Sequence, residues 1–551
     1  PQPHGITANG NAHMVGPKQG TSLITFDGTG DYLSAPDSSD WSFGTGDFTL
    51  EAWVNFNDSA GTENLFNQYQ DASNRWYLSA DLTNNTLAFY DAGSGMDVEQ
   101  TVVAWAADTW YHVAMVRNSG TVTYYVNGTA YTVSGTSPGG NIQNNTGSLL
   151  IGQYNSGDNL NGYMDSIRIS DSARYTAAFT PPTSAFTNDG NTKLLIQSGT
   201  DGSQTFTDSS SGSHTITANG DVRWFAPKIG AGAMVFDGTG DYFSVPDSPD
   251  WDFGAGDFTI EFWAKIGASA PDGSMLSHYD VSSQRSWSVV LDATNNELEF
   301  VYSTDGGSAT TAAFSWSYSE HTWYLVSICR SGADLKAFID GTQIGSTYDI
   351  STSDLHNSTS TLTIGGDVRS GMGYLFKGAI DDLRIVRTAL RTSNWTASTS
   401  AFTDSINTVL LLNADLNQGT WAEDSSTGLA ISTDSRMKFD GSGDYLSTAA
   451  SSDWNFGTDN FTVEFWANGD PNTTRRESFT LGAGSNNINF DFNEGSQALW
   501  VYWGSDGSAD ASQRIMSSAG TGGYTDGTWR HFALVRNSTT VTLYVDGTSI
   551  D

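Results

Sequence analysis

The sequence predicts an all-β protein built from tandem antiparallel β-sandwich domains. Two observations support this prediction: a long segment occurs three times, and apolar residues alternate with period two within the recurring segments. The segment FDGTGDYLSAPDSSDWSFGTGDFTLEAWV at 26–54 returns in closely similar form at 236–264 and 439–467. Successive copies begin 210 and 203 residues apart, which is the size of a whole domain and not of a solenoid repeat.

A second block, TWYHVAMVRNSGTVTYYVNGT at 109–129, returns at 322–342 and 528–548. In residues 48–54, four apolar side chains fall on one face, while Thr49, Glu51 and Trp53 fall on the other, which is the pattern of a strand. Residues 113–126 consist of two alternating runs joined by Asn-Ser-Gly, which indicates a hairpin. Because the chain shows no helical spacing, parallel α/β architecture is excluded and a two-sheet sandwich is predicted.

The repeats predict three domains: 1–187 without its first strand region, 190–405 complete, and 406–551 without its C-terminal strands. The run TKLLIQ at 192–197 has no counterpart before Pro1, and no segment like 149–169 follows Asp551. We therefore expect the chain to be a window from a longer array. The joining segments share the motif TSAFT, and we expect their phenylalanines, Phe186 and Phe402, to pack against a neighbouring unit.

The chain is strongly acidic. It has 61 acidic and 24 basic residues, and its formal charge is −37. Such a surface repels nucleic acid and anionic membranes, and no apolar stretch is long enough for membrane insertion. The single cysteine, Cys329, excludes an intrachain disulfide. An aromatic content of 12% indicates packed cores rather than disorder.

The ordered motifs FDGTGDYL, GTGDFTLEAWV, TWYHVAMVR, LLIG and GYMDSIRIS resemble the concanavalin A-like lectin and glucanase superfamily, in its laminin-G-like (LamG) jelly-roll branch. The resemblance covers essentially the whole chain and implies tandem jelly rolls. The chain is also similar to modules of phage structural and tail-fibre proteins and of bacterial adhesins. The family resemblance implies that glycans or proteins bind to loops or to a concave sheet, and that a module holds one structural calcium.

Catalysis is not predicted. The glucanases of this superfamily place two glutamates around an aspartate on one strand, and neither Glu-x-Asp-x-Glu nor Glu-x-Asp-x-x-Glu occurs here. Glu51, Glu261 and Glu464 recur, but each stands alone, which favours a structural role. The second copy has a leucine where the others have His112 and His531, so a histidine base is not common to the units.

Three recurring arginines end apolar stripes and are candidates to pair with the recurring glutamates: Arg117, Arg330 and Arg536. We expect these pairs to be architectural.

By strand alternation, two aspartates, Asp165 and Asp381, each share a strand face with apolar residues and therefore need a cation or strong donors. The family resemblance places calcium near this strand and the FDG segment, and thus implies Asp27 with Asp165, Asp237 with Asp381, and Asp440 in the third copy. Alternatively, the FDG aspartates form Asx turns and the strand aspartates pair with arginine. The sequence leaves both interpretations open.

Recurring tryptophans favour core packing over sugar stacking: Trp41, Trp251 and Trp454; Trp53, Trp263 and Trp466; Trp110, Trp323 and Trp529. Ligand contacts are expected where the units differ. Candidate regions are 69–76, 303–316 and 500–523, together with the neighbouring Tyr524.

These features together predict a non-enzymatic adhesion array on a virion or an extracellular cell surface. We expect glycans as ligands and neighbouring modules or further copies as assembly partners, with weak sites adding through multivalency. One alternative is a purely structural filament or virion decoration protein without a soluble ligand. Another is a set of targeting modules of a larger carbohydrate-active enzyme.

Overall fold

The structure is a computed structural model. In its first part it describes residues 6–9, 13–133, 140–155, 157–280, 283–350, 354–367, 374–405, 407–414, 430–431 and 437–438. Further on it describes residues 460–467, 476–483, 486–493, 498–503, 514–516, 530–538 and 540–549. The chain divides into two bodies, Pro1–Lys438 and Phe439–Asp551.

The described part of the first body consists of strands and two short 3-10 helices, Ser39–Trp41 and Pro249–Trp251. Two strands come first: β1 (Thr7–Asn9) and β2 (His13–Val15). The first recurring unit follows with β3 (Leu23–Asp27), β4 (Tyr32–Ala35), β5 (Phe48–Phe56), β6 (Thr62–Asp71), β7 (Asn74–Asp81), β8 (Thr86–Asp91), β9 (Met96–Thr101), β10 (Trp110–Asn118), β11 (Thr121–Val126), β12 (Thr129–Thr132), β13 (Leu149–Ile151) and β14 (Asn161–Ser170).

Four strands connect this unit to the next: β15 (Thr192–Ile196), β16 (Phe206–Thr207), β17 (Thr215–Asn219) and β18 (Arg223–Phe225). The second unit contains β19 (Ala233–Asp237), β20 (Tyr242–Val245), β21 (Phe258–Ile266), β22 (Gly273–Asp280), β23 (Gln284–Asp292), β24 (Glu297–Tyr302), β25 (Thr310–Ser315), β26 (Trp323–Ser331), β27 (Asp334–Ile339), β28 (Thr342–Asp349), β29 (Leu362–Ile364), β30 (Lys377–Val386) and β31 (Thr408–Leu412). A short pair, β32 (Ala430–Ile431) and β33 (Met437–Lys438), ends this body.

The strands form two β-sandwiches, which confirms the predicted fold class. In the first sandwich, the β5 sheet has the order β12-β11-β10-β5-β14-β3-β18, with β15 also paired to β14. It faces the β6 sheet, whose order is β16-β17-β4-β13-β6-β7-β8-β9. In the second sandwich, the β21 sheet (β2-β19-β30-β21-β26-β27-β28, with β31 on β30) faces the β22 sheet (β1-β20-β29-β22-β23-β24-β25).

The strand pairing departs from the predicted domain boundary at residue 190. Strands β15–β18 join the first sandwich, although the sequence repeat assigns them to the second unit. Conversely, β1 and β2, which precede the first unit, pair with β20 and β19 of the second sandwich. Strands β15–β18 thus close the first sandwich, and strands β1 and β2 close the second. The first sandwich is continuous in the chain, whereas the second is not.

Strand β5 shows why the alternating pattern folds in this way. All nine of its residues are buried. Phe48 and Leu50 point into the core of the first sandwich, whereas Trp53 on the opposite face belongs to a different apolar cluster. Both faces of this strand are therefore covered.

That second cluster lies between the two sandwiches, and its members correspond in the two units. We call it the interdomain cluster: Leu23 and Ala233, Trp53 and Trp263, Trp110 and Trp323, Tyr163 and Ala379, Phe186 and Phe402, Leu195 and Leu411, and Val15 and Phe225, with Ile229 and Leu325. It includes both TSAFT phenylalanines, as expected. The outer faces of the β5 and β21 sheets are packed against each other through these residues.

The second body contains two described four-stranded antiparallel sheets. Their strands are β34 (Phe461–Ala467), β35 (Arg476–Ala483), β36 (Asn486–Asn493), β37 (Ala498–Trp503), β38 (Arg514–Met516), β39 (Arg530–Asn537), β40 (Thr540–Val545) and β41 (Thr548–Ser549). The sheet orders are β34-β39-β40-β41 and β35-β36-β37-β38.

Trp53→Ala is expected to lower the free energy of unfolding of the first body by about 3–5 kcal/mol, because it removes a large buried side chain from the interdomain cluster. The matched control is Trp466→Ala, at the same repeat position in the second body, where the tryptophan is 62% exposed. This control is expected to change stability by less than about 0.5 kcal/mol. Calorimetry of the whole chain checks both values, and equal small shifts would contradict a stabilising role for the cluster.

Candidate binding surface and metal site

Four tyrosines lie together on the outer face of the β6 sheet. Tyr77 and Tyr90 are cross-strand partners in β7 and β8, and their rings stack with centroids 5.4 Å apart. Tyr154, which follows β13, meets Tyr77 edge-on at 5.1 Å and Tyr69 at 5.8 Å. Each of the four is half-buried, so part of every ring faces solvent.

Arg75 completes this group, which we call the tyrosine surface (Tyr69, Arg75, Tyr77, Tyr90, Tyr154). Its guanidinium carbon lies 5.4 Å from the Tyr90 ring centre and 5.9 Å from that of Tyr154, within the range of a cation–π interaction. Burial raises the pKa of the Tyr77 and Tyr154 hydroxyls, so both stay protonated and can donate hydrogen bonds.

Asn67 belongs to the same face of the sheet. It is the register partner of Tyr77 on one side and of Leu150 on the other. Its side chain is fully buried, and both amide atoms lack a hydrogen-bond partner within the described residues. Leaving such a buried amide unpaired costs about 1–3 kcal/mol, and because it is fully buried it does not face solvent.

Part of the tyrosine surface recurs, because Tyr279 and Arg285 of the second sandwich are register partners as Tyr69 and Arg75 are in the first.

The other three tyrosines are specific to the first sandwich. The strand partners Tyr77 and Tyr90 correspond to Ser288 and Val301, which are register partners in the second sandwich. After the matching LLIG and LTIG runs, Tyr154 corresponds to Asp367. The two sandwiches share a scaffold and differ at this face.

Of the regions predicted for ligand contacts, 69–76 contributes Tyr69 and Arg75, while Trp76 is buried in the core, where its indole N–H donates to Gln68 Oε1 at 3.0 Å. The sequence analysis missed Tyr77, Tyr90 and Tyr154. Two sequence signals could have identified Tyr77 and Tyr90: strand alternation places them on the outer face of β7 and β8, and the second unit has no tyrosine at either position.

The second predicted region, 303–316, ends at Trp316, which is only 4% exposed. Its Thr304 lines a polar cleft of about 400 Å³ together with Asp252, Gly254, Asp354, Leu355, His356 and Asn357. The third region, 500–523, and Tyr524 lie mostly outside the described residues.

Two of the recurring glutamates, Glu51 and Glu261, form ion pairs with arginines, but not with those predicted. Glu51 is fully buried and accepts from Arg168 Nε at 2.8 Å and from the Tyr175 hydroxyl at 2.7 Å. Although burial alone would raise its pKa, His112, Arg168 and Tyr175 lower the pKa of Glu51. In the second sandwich, Glu261 pairs with Arg384 and Arg391. These carboxylates are engaged in structural contacts.

The predicted pairing with Arg117 and Arg330 is wrong because these arginines lie on the opposite face of the sheet. Register places Glu51 beside Arg168 and places Arg117 beside Phe48. The Arg117 guanidinium instead donates to backbone carbonyls, including those of Gly46 at 2.8 Å and Gly140 at 2.9 Å. Arg330 likewise donates to the carbonyls of Gly254, Gly332 and Ile350.

In the second body, Arg536 Nε donates to the Ser538 carbonyl at 3.2 Å. Glu464 there is 62% exposed, with His531 Nε2 at 3.4 Å. In the first sandwich, His112 Nε2 lies 3.3 Å from Glu51. The recurring histidine thus lies beside the recurring glutamate in both units that have it.

The tryptophans divide into two groups. Trp41 and Trp251 are buried in the cores of their own sandwiches, as predicted, whereas Trp53, Trp263, Trp110 and Trp323 lie in the interdomain cluster. Trp454 and Trp529 lie outside the described residues.

The predicted metal pairs are not assembled. Asp27 pairs in register with Asn161, so Asp165 lies four residues farther along β14, about 13 Å away at strand spacing. Asp237 and Asp381 have the same separation, because Asp237 pairs with Lys377. Asp440 lies outside the described residues.

Asp165 and Asp381 have another role. A bulge after Asp165, with Ser166 at φ +49°, turns this side chain away from the core face that holds Ile167. Asp165 accepts from the Gln19 backbone N–H at 2.7 Å. Asp381 accepts from the backbone N–H groups of Lys228 and Ile229 at 2.9 and 2.8 Å. Both therefore anchor connecting segments, and their donors are backbone amides rather than arginines.

A different acidic group includes Asp27. Its carboxylate and those of Asp31 and Asp221 place ligand atoms within 4.8 Å of one another. Asp31 accepts from the backbone N–H groups of Asp27 and Asp221 at 3.1 and 2.7 Å. Burial, reinforced by the two neighbouring carboxylates, raises the pKa of Asp31 to about 7.

This group fits calcium by its donor chemistry, because three carboxylates and nearby carbonyls suit a hard cation. Asp27 Oδ1 also accepts from the Thr29 backbone N–H at 2.7 Å, so the Asx turn considered as an alternative is present. The second sandwich repeats two of the acids as Asp237 and Asp241. In the sequence repeat, Asp221 corresponds to Asn11, which lies outside the described residues.

The comparisons with known proteins agree with this fold. A laminin-G family model, described as the concanavalin A-like lectin/glucanases superfamily, matches residues 27–178, 237–394 and 440–551. The chain therefore belongs to this superfamily, as three tandem modules. A search of curated proteins finds no match.

Several solved structures are similar to parts of the chain. A putative carbohydrate binding protein from Bacteroides ovatus is 19% identical over 37% of this chain and 60% of its own, with a TM-score of 0.30. Domains LG4-5 of the mouse laminin α1 chain are 12% identical over 71% of this chain and 96% of theirs, with a TM-score of 0.26. Tailspike protein 2 of Escherichia coli O157:H7 bacteriophage CAB120 is 13% identical over 34% of this chain and 27% of its own, with a TM-score of 0.26.

No helix within the described residues has the length and apolar character needed to cross a membrane.

The pKa shifts predict how stability depends on pH. Burial raises the pKa of both Glu63 and Asp165 to about 7, above their ordinary values of 4.5 and 3.8. The stability linked to these groups is fully present below the ordinary values and is lost as pH rises through about 7. We expect the free energy of unfolding of the first body to fall as pH rises from about 4 to about 7.

Denaturant titrations at several pH values check this expectation. Glu63→Gln removes one of the carboxyl groups with a raised pKa and should reduce the fall. Glu99→Gln, at an exposed position on β9, is the control and should leave it unchanged. An identical fall in Glu63→Gln and in the unsubstituted chain would contradict the assignment to Glu63.

Proposed function

We propose that the chain is a non-enzymatic, multivalent adhesion array that binds glycans, and that the tyrosine surface of the first sandwich is one of its binding sites. The observation that carries this proposal is the cluster of four partly exposed tyrosines with Arg75 on one sheet face. Tyrosine offers an apolar ring for the C–H face of a sugar and a hydroxyl for its polar edge.

Charge supports a neutral or hydroxyl-rich ligand. With a formal charge of −37, the chain repels polyanions such as nucleic acid. Sugars need no opposite net charge, since hydrogen bonds and ring contacts hold them. The location that suits this function is a virion or an extracellular surface.

The presence of several modules in one chain explains how a shallow binding site can support attachment. The tyrosine surface is an open face, for which we expect weak binding by a single module. Several modules in one chain, or several chains in an assembly, raise overall avidity by effective concentration, by roughly 10²–10⁴-fold.

The recurring carboxylates support a non-enzymatic role. Glu51 and Glu261 are saturated by arginine contacts in the fold, so they do not present a free carboxylate pair of the glycosidase type.

A glycan array probed with the whole chain tests this proposal, and we expect binding to a defined class of glycans. The double variant Tyr77→Ser/Tyr90→Val carries the residues that the second sandwich has at the same register positions, so its fold should be kept. We expect it to weaken binding by roughly tenfold or more, because tyrosines commonly act as binding hot spots.

Tyr374→Ser is the matched control, since this tyrosine is 38% exposed and lies outside the tyrosine surface. It should bind like the unsubstituted chain. Binding that survives in the double variant would place the site elsewhere. If the chain binds no glycan on the glycan array, the structural filament or decoration role is favoured. If the same protein contains a catalytic domain, the enzyme-targeting role is favoured.

Calcium is the metal that the superfamily implies, and Asp27, Asp31 and Asp221 are the residues that would hold it. A bound cation would offset the mutual repulsion of the three carboxylates and would tie β18's segment to the turn after β3. We expect added calcium to raise the thermal midpoint of the first body by a few degrees, and a chelator to reverse this. Asp221→Asn should remove the effect, whereas Glu99→Gln, at an exposed position on β9 that belongs to neither described acidic group, should not. A midpoint that is insensitive to calcium would leave the Asx-turn interpretation.

A further inference from the structure

The segments that close the two sandwiches are copies of each other. Residues 6–9 and 216–219 both read ITAN, and their strands dock in the same register. Thr7 pairs with Ser244 of β20, and Thr217 pairs with Ser34 of β4. The strands that follow, β2 and β18, pair with β19 and β3 at equivalent positions.

The two connectors behind these strands also correspond. Residues 16–22 lead from β2 in the second sandwich to β3 in the first, and residues 226–232 lead from β18 in the first to β19 in the second. Trp110 Nε1 donates to the Gly16 carbonyl at 3.2 Å, and Trp323 Nε1 donates to the Ala226 carbonyl at 3.0 Å. The two sandwiches thus exchange closing strands within one chain.

The second sandwich takes its closing strands from the front of the chain, and the sequence after it is too short to supply them in the same form. Ile6 and Ile216 each stand 21 positions before the FDG aspartate of their copy, whereas Ile431 stands only 9 positions before Asp440. The third copy therefore lacks twelve residues that include the connector.

We propose that strands β1 and β2 form an exchangeable closing segment, and that a second copy of this chain can donate its own β1 and β2 to the β19–β20 edge of the second sandwich. The partner is thus another copy of the same protein, which completes a sandwich by supplying two strands. This proposal does not rest on glycan binding.

Three observations support the exchange. The docking edge already accepts a segment that is remote in sequence from the rest of its sandwich. Closed and exchanged forms have the same strand contacts and differ only at the hinge, which is why exchange of identical elements is a low-cost route to association. The hinge, residues 16–22, contains two glycines and spans at most about 25 Å when extended.

The second sandwich also gains specific contacts from the segment. Ile6 and Met14 are buried in its core. His13 on β2 reaches the first sandwich, where its Nε2 lies 2.8 Å from the Tyr163 hydroxyl and its Nδ1 lies 3.5 Å from Asp108. A donated segment would therefore place its His13 beside Tyr163 and Asp108 of the acceptor's first sandwich.

Cross-linking between differently tagged copies tests the exchange. One copy carries Thr7→Cys and the other carries Ser244→Cys, so that a 7–244 disulfide can form only between chains. We expect this disulfide to accumulate when the two copies are incubated together at high concentration and then oxidised, with the link identified by mass spectrometry. The natural Cys329 is buried and serves as an internal unreactive thiol.

Two controls make the result decisive. A single chain with both Thr7→Cys and Ser244→Cys should form the disulfide internally, which shows that the pair can react. A mixture of Thr217→Cys and Ser34→Cys copies should form none between chains, because β17 is held in the chain on both sides. If the internal link forms and the 7–244 mixture gives no more dimer than the 217–34 mixture, the segment stays in its own chain and the proposal is overturned.

Discussion

The structure of the first body depends on the mutual burial of the outer faces of the β5 and β21 sheets. An exposed sheet face that carries several tryptophans would be an aggregation hazard, and in this chain each unit covers the corresponding face of the other. Trp53 and Trp263 occupy equivalent positions in this cluster, and Lys18 and Lys228 lie over their rings at 4.8 and 4.3 Å. The connectors that carry these lysines are fixed by Asp165 and Asp381. Packing, connection and strand exchange are therefore parts of one arrangement.

The same constraint explains the recurring polar groups on these sheets. A carboxylate on a covered face requires charged partners, and Glu51 and Glu261 find them in arginines of the adjacent strands. The outer faces of the β6 and β22 sheets do not pack against the other sandwich, so polar groups there do not require charged partners. Consequently the outer face of the β6 sheet can vary between the units, and there one module has tyrosines where the other has serine, valine and aspartate.

Much of the fold was predictable because it follows from local alternation and repetition. Residues 48–54 identified both faces of β5, and Trp41 was correctly assigned to the core. The glutamate partners were not predictable, since they depend on strand register, which places Arg168 rather than Arg117 beside Glu51. Asp165 was placed on the wrong face because a bulge changes the alternation. The two ITAN segments have the same sequence, and the two sheet edges are similar. The sequence therefore does not show which edge each segment joins. For the binding surface, Tyr69 was within reach of sequence comparison, but the approach of Tyr154 depends on the tertiary fold.

The position of residues 6–15 has a consequence for synthesis on the ribosome. The first sandwich has all of its strands once residue 225 has emerged, but β1 and β2 wait for β19 and β20, which follow more than 200 residues later. At typical translation speeds this delay is about ten to fifty seconds. Until then, β1 and β2 of the nascent chain have no partner strands. A similar edge, on β3 and β4 of the first sandwich, is the one that residues 215–225 occupy in the folded protein. Because β1 and β2 emerge before residues 215–225, they can compete for the β3–β4 edge. Residues 215–225 must then displace them from it.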